Sequence, residues 1–197
     1  LVKINADKAR RAPGVRAVVI RDDLDKLASP VYGYFIKDQP LVAMDKVRYE
    51  GDTLAAVAAD TEAQAEAACA LIDFEFERLP DVPDIETALS ETSAELFEDA
   101  PMGVVPKYGT GATGTLRPIR NSCYSFRYKT GDEAAFEQCD HIFEDEFRFS
   151  RMHHLHLEPF VTVADASNDR IQLWSSCQNP FALRKELGRL FGLTENL

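Results

Sequence analysis

Residues Met152 to Glu158 read Met-His-His-Leu-His-Leu-Glu, with polar and apolar types in alternation. A β-strand sends successive side chains to opposite faces. On a strand, Met152, His154, His156 and Glu158 would share one face, with His153, Leu155 and Leu157 on the other. Imidazole and carboxylate at alternate positions suit zinc or iron. His154, His156 and Glu158 are therefore candidate ligands of a small metal-dependent enzyme. The plainer alternative is a strand with solvent-facing or hydrogen-bonded polar residues, because His141 is the one further histidine and nothing ties it to this row.

Pro159 follows Glu158 and cannot donate to a strand ladder, so it marks an edge or a bulge, features often found beside sites. A second β-rich run, Arg170 to Ser176, comes after the turn-forming Ser167-Asn168-Asp169, and the two runs are expected to pair as a hairpin. The second run delivers Cys177-Gln178-Asn179-Pro180 to the start of a helix. Gln178 and Asn179 could present amides and free helix N–H groups to an oxygen-rich ligand, or Asn179 could simply cap the helix. Ser150, Ser175 and Ser176 have no nucleophile-elbow context.

The elements that must position these residues follow from pattern. Asn5 caps a helix over Asp7–Ala12, stopped by Pro13-Gly14. Val15–Ile20 reads as a buried strand and Asp22–Leu27 as one helical turn, with residues 28–46 a connecting loop. Val47–Tyr49 and Leu54–Ala59 read as strands around a turn at Glu50-Gly51-Asp52. Thr61 and Gln64 form a capping box on a helix whose apolar face is Ala63, Ala67, Ala70 and Leu71. Ile72–Arg78 alternates with Phe74 and Phe76 inward. These give an α+β unit over residues 1–83.

Residues 84–130, rich in Gly, Pro, Ser and Thr around Gly109–Gly114, read as a linker or surface loop, without the strand, helix or Lys-Ser/Thr of a phosphate loop. A second, β-rich unit opens at 131. Asp132 caps a short helix, Glu133–Cys139, with Ala135 and Phe136 inward, and His141–Phe149 begins a strand system. A last helix follows Asn179-Pro180, with Leu183, Leu187, Leu190 and Phe191 at helical spacing and Gly192 as its stop. This unit is too short to close a core of its own.

The 197 residues carry 22 basic and 33 acidic side chains, a net charge of -11. That balance argues against nucleic acid or an anionic membrane as partner. Four scattered cysteines without a CxxC pair argue against a disulfide framework or structural zinc, and fit a reducing, cytoplasmic compartment. No apolar run approaches the ~18 residues of a membrane span.

Several of these stretches together resemble the molybdenum-binding subunit of the xanthine dehydrogenase/aldehyde oxidase family, the molybdenum hydroxylases. They are Pro13–Val18, Val47–Asp52 with Ala55–Ala59 and the alanine-rich helix, and Gly131-Asp132 with Ala135-Phe136. His154, Leu157-Glu158-Pro159 and Ser175–Phe181 complete the set. The resemblance implies an α/β-hammerhead domain at residues 1–83. It further implies, from 131 to 197, the β-rich N-terminal part of a molybdopterin-binding domain. In the family, the glycine-rich cofactor loops and the catalytic glutamate come later than the residues matched here, so the chain resembles an N-terminal portion, incomplete for catalysis.

The implied activity of the complete enzyme is that of an oxidoreductase acting on an aldehyde or aromatic heterocycle, with water as the oxygen source. The implied cofactor is molybdenum-molybdopterin, in its cytosine dinucleotide form in a bacterial enzyme. The remainder of the molybdenum subunit, together with iron–sulfur and FAD subunits or domains, would be partners. Met152 and Gln178 are the positions placed by resemblance nearest that cofactor. Purine-hydroxylating animal members carry glutamine at the position matching Met152; methionine cannot donate a hydrogen bond, which counts against xanthine as substrate. A reading from another class is a non-catalytic assembly module for partner subunits.

Overall fold

Small apolar residues dominate the first seventy positions, and they build two short antiparallel strand pairs closed by two short helices. The computed structural model describes residues 1–33, 37–98, 103–105, 113–116, 120–127, 130–150, 152–167 and 170–193. They divide into two units, Leu1–Tyr128 with Arg184–Leu197, and Lys129–Leu183. The glycines and alanine of 109–112, and Asn168-Asp169 of the expected turn, lie outside the described residues.

The first unit begins with β1 (Lys3–Asn5), α1 (Asp7–Arg10) and β2 (Val15–Val19), then a 3-10 turn at Arg21–Lys26. After β3 (Val31–Tyr32) and β4 (Gln39–Pro40) come β5 (Ala56–Ala59), α2 (Glu62–Cys69) and β6 (Asp73–Glu75). β1 pairs with β6, setting Ile4 opposite Phe74, and β2 pairs with β5, setting Val18 opposite Val57. Ile4, Ala6, Ala9, Val18, Ile20 and Ala68 form the core cluster, with Leu1, Val15, Leu54 and Ile72 packed against it. Burying side chains of this kind contributes about 1.5–3 kcal/mol for each large aliphatic.

Val15–Ile20 is a half-buried strand rather than a buried one. Val18 and Ile20 face inward while Arg16, Ala17 and Val19 are exposed. One extra residue, Arg16, sits in β2 between the Val15–Ala59 and Ala17–Ala58 pairs. That bulge shifts the two-residue period and lets Val15 and Val18 turn to the same side. Arg16 then reaches Asp60, Nε donating to Oδ1 at 2.6 Å.

Thr61 caps α2, its Oγ1 accepting from the Gln64 N–H at 3.3 Å, but the reciprocal half of the expected capping box is absent among the described residues, where Gln64 Oε1 has no partner. The inner face of the helix is different, with Ala68 buried, Gln64 and Ala65 half-buried, and Ala63, Ala67 and Ala70 exposed. Phe74 and Phe76 are likewise not inward: each is about half exposed, the rings 5.0 Å apart. A two-stranded sheet covers only one side of β6. Val47–Tyr49 is no strand, since the Arg48 N–H donates to Asp52 Oδ2 (3.1 Å) rather than to a ladder. Gly51, at φ 91°, completes that turn, and Arg48 Nε reaches the Leu96 carbonyl at 2.7 Å with its guanidinium over the Phe97 ring.

Residues 84–130 carry α3 (Ile85–Leu89), capped by Asp84, and a three-stranded antiparallel sheet of β7 (Gly103–Val105), β8 (Thr113–Leu116) and β9 (Tyr124–Arg127). Asn121, at φ 59°, ties this region together. Its Nδ2 donates to the carbonyls of Ala88 (3.0 Å) and Ala94 (2.8 Å), and its Oδ1 accepts from the Leu96 N–H.

The second unit holds a 3-10 turn at Glu133–Gln138, then β10 (Thr162–Asp165) paired with β11 (Gln172–Ser175). The final helix, α4 (Pro180–Phe191), starts in this unit. From Arg184 onward it belongs to the first, where Leu190 is buried and Leu187 half-buried, while Phe191 stays half exposed. The Leu190 carbonyl accepts from the Ala28 N–H at 2.9 Å, satisfying an acceptor that a helix end otherwise leaves open. Arg189 donates to Ser29 Oγ (2.6 Å), to the Val31 carbonyl and to Glu186 (2.9 Å), and Lys37 pairs with Glu186 as well. Gly192 at φ 67° ends the helix, as its spacing predicts, with Leu193 N–H reaching back to the Gly188 carbonyl.

The hydrogen bond from Arg189, followed by that from Lys37, holds the Glu186 carboxyl below its ordinary value of 4.5. A carboxylate whose folded pKa is depressed stabilises the fold above its unfolded value, and that contribution is lost as the pH falls through the folded value. The stability advantage of the natural chain over Glu186→Gln should therefore shrink between about pH 6 and pH 3, read as urea midpoints at each pH. Gly14 sits at φ 78°, and a Cβ there would meet the Gln64 carboxamide at 2.4 Å. The left-handed backbone alone makes Gly14→Ala cost about 1–2 kcal/mol, measured as a lower urea midpoint at unchanged m-value.

Candidate functional site

The second unit contains every residue singled out for chemistry, and none of its described residues is buried. Asp132 caps its 3-10 turn, Oδ1 accepting from the Ala134 N–H at 3.0 Å. Phe136 is 60% exposed, and Ala135 is exposed too, so neither faces inward. His141–Phe149 is not assigned as a strand, and among the described residues no strand pairs with it. A strand exists only where its backbone N–H and C=O groups find partners, and the described residues of 130–183 supply none here.

The row from Met152 to Glu158 is not a strand either. Leu155 adopts φ 49° and its N–H donates to His153 Nδ1 at 3.0 Å. A left-handed residue in the middle breaks the two-residue period on which the shared face depended. The histidines that come together are His153 and His156, rings stacked at 6.1 Å, with His156 edge-on to Phe160 at 4.8 Å. His154, His156 and Glu158 are each exposed, and among the described residues no three metal-binding side chains form a group.

The hairpin expected between Met152–Glu158 and Arg170–Ser176 does not form; β11 pairs instead with β10, which begins four residues after Glu158. β10 and β11 pair from Thr162–Ser175 to Asp165–Gln172, and the Thr162 and Ser175 hydroxyls lie 2.9 Å apart. At the other end Asp165 Oδ1 accepts from the Ser167 N–H (2.9 Å); hydrogen bonding from Ser167 lowers the Asp165 pKa. At the open end, Val161 N–H donates to Ser176 Oγ at 3.2 Å, and Ser176 N–H to the Val161 carbonyl at 3.3 Å. The chain from Met152 enters the hairpin at this end, and the chain to Gln178 leaves from it. Both side chains are exposed, Met152 at 82%.

Asn179 resolves the choice left open at the helix start in favour of capping. Its Oδ1 accepts from the Ala182 N–H at 3.1 Å and its carbonyl from the Leu183 N–H at 3.1 Å. Pro180 has no N–H to offer. An oxygen-rich ligand would thus find the Gln178 carboxamide, which has no hydrogen-bond partner among the described residues, rather than a set of open helix donors. A molybdopterin group would meet one amide and one thioether here. Both buried side-chain atoms that lack a partner among the described residues, Gln64 Oε1 and Arg189 Nε, lie in the first unit. The residues present do not by themselves form a cradle for such a group.

The sequence pattern does not point to the clusters that fix the first unit, namely Arg48 with Leu96 and Phe97, Asn121 with its three carbonyl and amide partners, and Lys37 with Glu186 and Arg189. Glu186 and Arg189 lie three apart, which a helix places side by side. Lys37 is 149 residues distant, and no local pattern announces it.

With this geometry established, comparison with known proteins places the chain. Residues 1–80 match a family model described as the aldehyde oxidase and xanthine dehydrogenase a/b hammerhead domain, and residues 117–197 match the molybdopterin cofactor-binding domain. The chain belongs to the xanthine dehydrogenase/aldehyde oxidase family of molybdenum hydroxylases. It is 32% identical, over 99% of its length, to a probable xanthine dehydrogenase subunit of Bacillus subtilis, of which it covers 24%. It is also 32% identical to the nicotinate dehydrogenase large molybdopterin subunit of Eubacterium barkeri, over 98% of its length and 41% of that protein. Quinoline 2-oxidoreductase of Pseudomonas putida 86 superposes with a TM-score of 0.74 at 27% identity, over all of this chain and 24% of that one. The chain thus spans from about a quarter to two fifths of the length of these relatives.

Removing the cap should be measurable. Asn179→Ala is expected to lower the stability of α4 by about 1 kcal/mol, while Asn179→Asp keeps the acceptor and most of the stability. Hydrogen exchange of the amides from Ala182 onward reads the difference.

Proposed function

We propose that this chain is the leading part of the molybdenum-bearing subunit of a hydroxylase that oxidises an aldehyde or an aromatic heterocycle, water supplying the oxygen. The observation that carries this is the order of the two family matches, hammerhead then molybdopterin-binding, along a chain of a quarter of the relatives' length. In this reading Met152 and Gln178 line one wall of the cofactor site, and the rest of the subunit builds the others. When bound, the molybdenum–pterin group supplies the two-electron chemistry. Gln178 contributes a carboxamide that both donates and accepts hydrogen bonds, and Met152 a side chain that donates none.

That difference favours a substrate without a purine's hydrogen-bonding edge, and relatives named for nicotinate and quinoline support the heterocycle arm. The cofactor is of the cytosine dinucleotide form if the source is bacterial, electrons pass on to iron–sulfur and FAD partners, and the assembly is cytoplasmic. No described helix is long and apolar enough to cross a membrane. The metal-dependent alternative built on His154, His156 and Glu158 loses its basis with the strand that was to align them.

The test is molybdenum and pterin analysis of the complete subunit, paired with Gln178→Ala. The expected result is stoichiometric molybdenum and pterin, with Gln178→Ala lowering kcat by about ten- to a hundred-fold at retained molybdenum. A complete subunit without molybdenum or pterin would overturn the reading, and full activity in Gln178→Ala would remove that residue from the site.

A further inference from the structure

The segment His141–Phe149 has the composition of a strand, and no strand among the described residues pairs with it. Phe143, Phe147 and Phe149 occupy one parity, interrupted by Asp145; Ile142, Glu144, Glu146 and Arg148 occupy the other. Their exposures, 87%, 78% and 89% for the three phenylalanines, are far above what large aromatics keep in a finished fold. On the opposite parity Arg148 Nε donates to Glu146 Oε1 at 2.6 Å, a contact between side chains two apart, as on one face of an extended chain. Among the described residues of the unit none is buried, and none of them covers those three rings.

We propose that His141–Phe149 pairs as a β-strand with a strand from the later part of the same subunit. Phe143, Phe147 and Phe149 then turn into a core that this later polypeptide completes. The proposal rests on the reading above, that the complete subunit continues well past these residues, as it does in relatives of which this chain covers about a quarter. The polar face defines the partner's chemistry. Between Asp132 and Glu146 there is no lysine or arginine, so the strand lying opposite Glu144 and Glu146 carries basic residues on its outward parity and apolar ones on its inward parity. A second copy paired in parallel register would bring Glu144 against Glu144 and Glu146 against Glu146, which disfavours that arrangement.

Hydrogen exchange by mass spectrometry tests this on the 197-residue chain and on the complete subunit. Amides 142–149 should exchange freely in the chain alone and be protected by about a hundred-fold or more in the complete subunit. In the complete subunit Phe147→Asp should abolish that protection while Glu146→Gln, on the other parity, leaves it. Phe147→Leu guards against general unfolding, since it should keep both this protection and that of α2. Free exchange of 142–149 in a complete subunit whose α2 is protected would overturn the proposal. So would protection in the short chain that grows with concentration, which would make a second copy the occupant. Protection without molybdenum or pterin in the complete subunit would support the strand and sink the functional reading instead.

Discussion

Burial of Ile4, Val18, Ile20 and Ala68 between two strand pairs and two short helices is the contact on which the first unit depends. It is a small core, made of residues that each cover little area. The unit adds polar fastenings to it. Arg21 Nη1 holds the carbonyls of Leu1 and Met44, Asn121 gathers the 88–96 segment, and Arg189 with Glu186 and Lys37 secures the end of α4. Each of these satisfies backbone groups that an irregular chain would otherwise leave without partners, and leaving such groups bare costs more than making the bond gains. Among the described residues of the second unit none is buried, so they form no counterpart to that core. Its 3-10 turn and hairpin are locally hydrogen-bonded, yet its aromatic residues lie in the open. Local hydrogen bonds can set the path of such a chain; they do not offset the entropy of ordering it.

Some punctuation is legible in the sequence, although Asp84 and the α3 it caps fall where the composition reads as a linker, and α1 has Ala6 rather than the expected Asn5 at its N-cap. Thr61, Asp132 and Asn179 cap where their spacing predicts, and Gly192 stops α4. These signals depend on neighbours within four residues. The inward face of α2 is not legible, because alanine at nearly every position leaves no amphipathic contrast to read. The face of β2 is hidden too, because one bulged residue, Arg16, shifts the period by a step that the residue types do not show. The runs His141–Phe149 and Met152–Glu158 carry genuine alternation and still form no strands here. A strand needs a neighbour, and alternation records only what the chain would do if one were present.

The candidate site obeys the same constraint. Val161 and Ser176 are joined by paired hydrogen bonds at the end of the hairpin where the chain from Met152 enters and the chain to Gln178 leaves. The geometry expected for the histidines fails for a local reason, the left-handed Leu155, and for a wider one, the missing partner strand. The hammerhead unit carries a core within the chain, whereas the described residues of the cofactor-binding unit present exposed aromatics and a Gln178 carboxamide without a partner among them.

Trp174, the single tryptophan, lies in β11 of the second unit and is 54% exposed. It makes the difference between the two units measurable in one experiment, a urea titration of the 197-residue chain followed at once by tryptophan fluorescence and far-UV circular dichroism. The account predicts a cooperative circular-dichroism transition from the first unit, with a tryptophan signal that is solvent-exposed from the start and changes without a sigmoid. Coincident cooperative transitions by both probes would show that the second unit has a core of its own and would contradict the account.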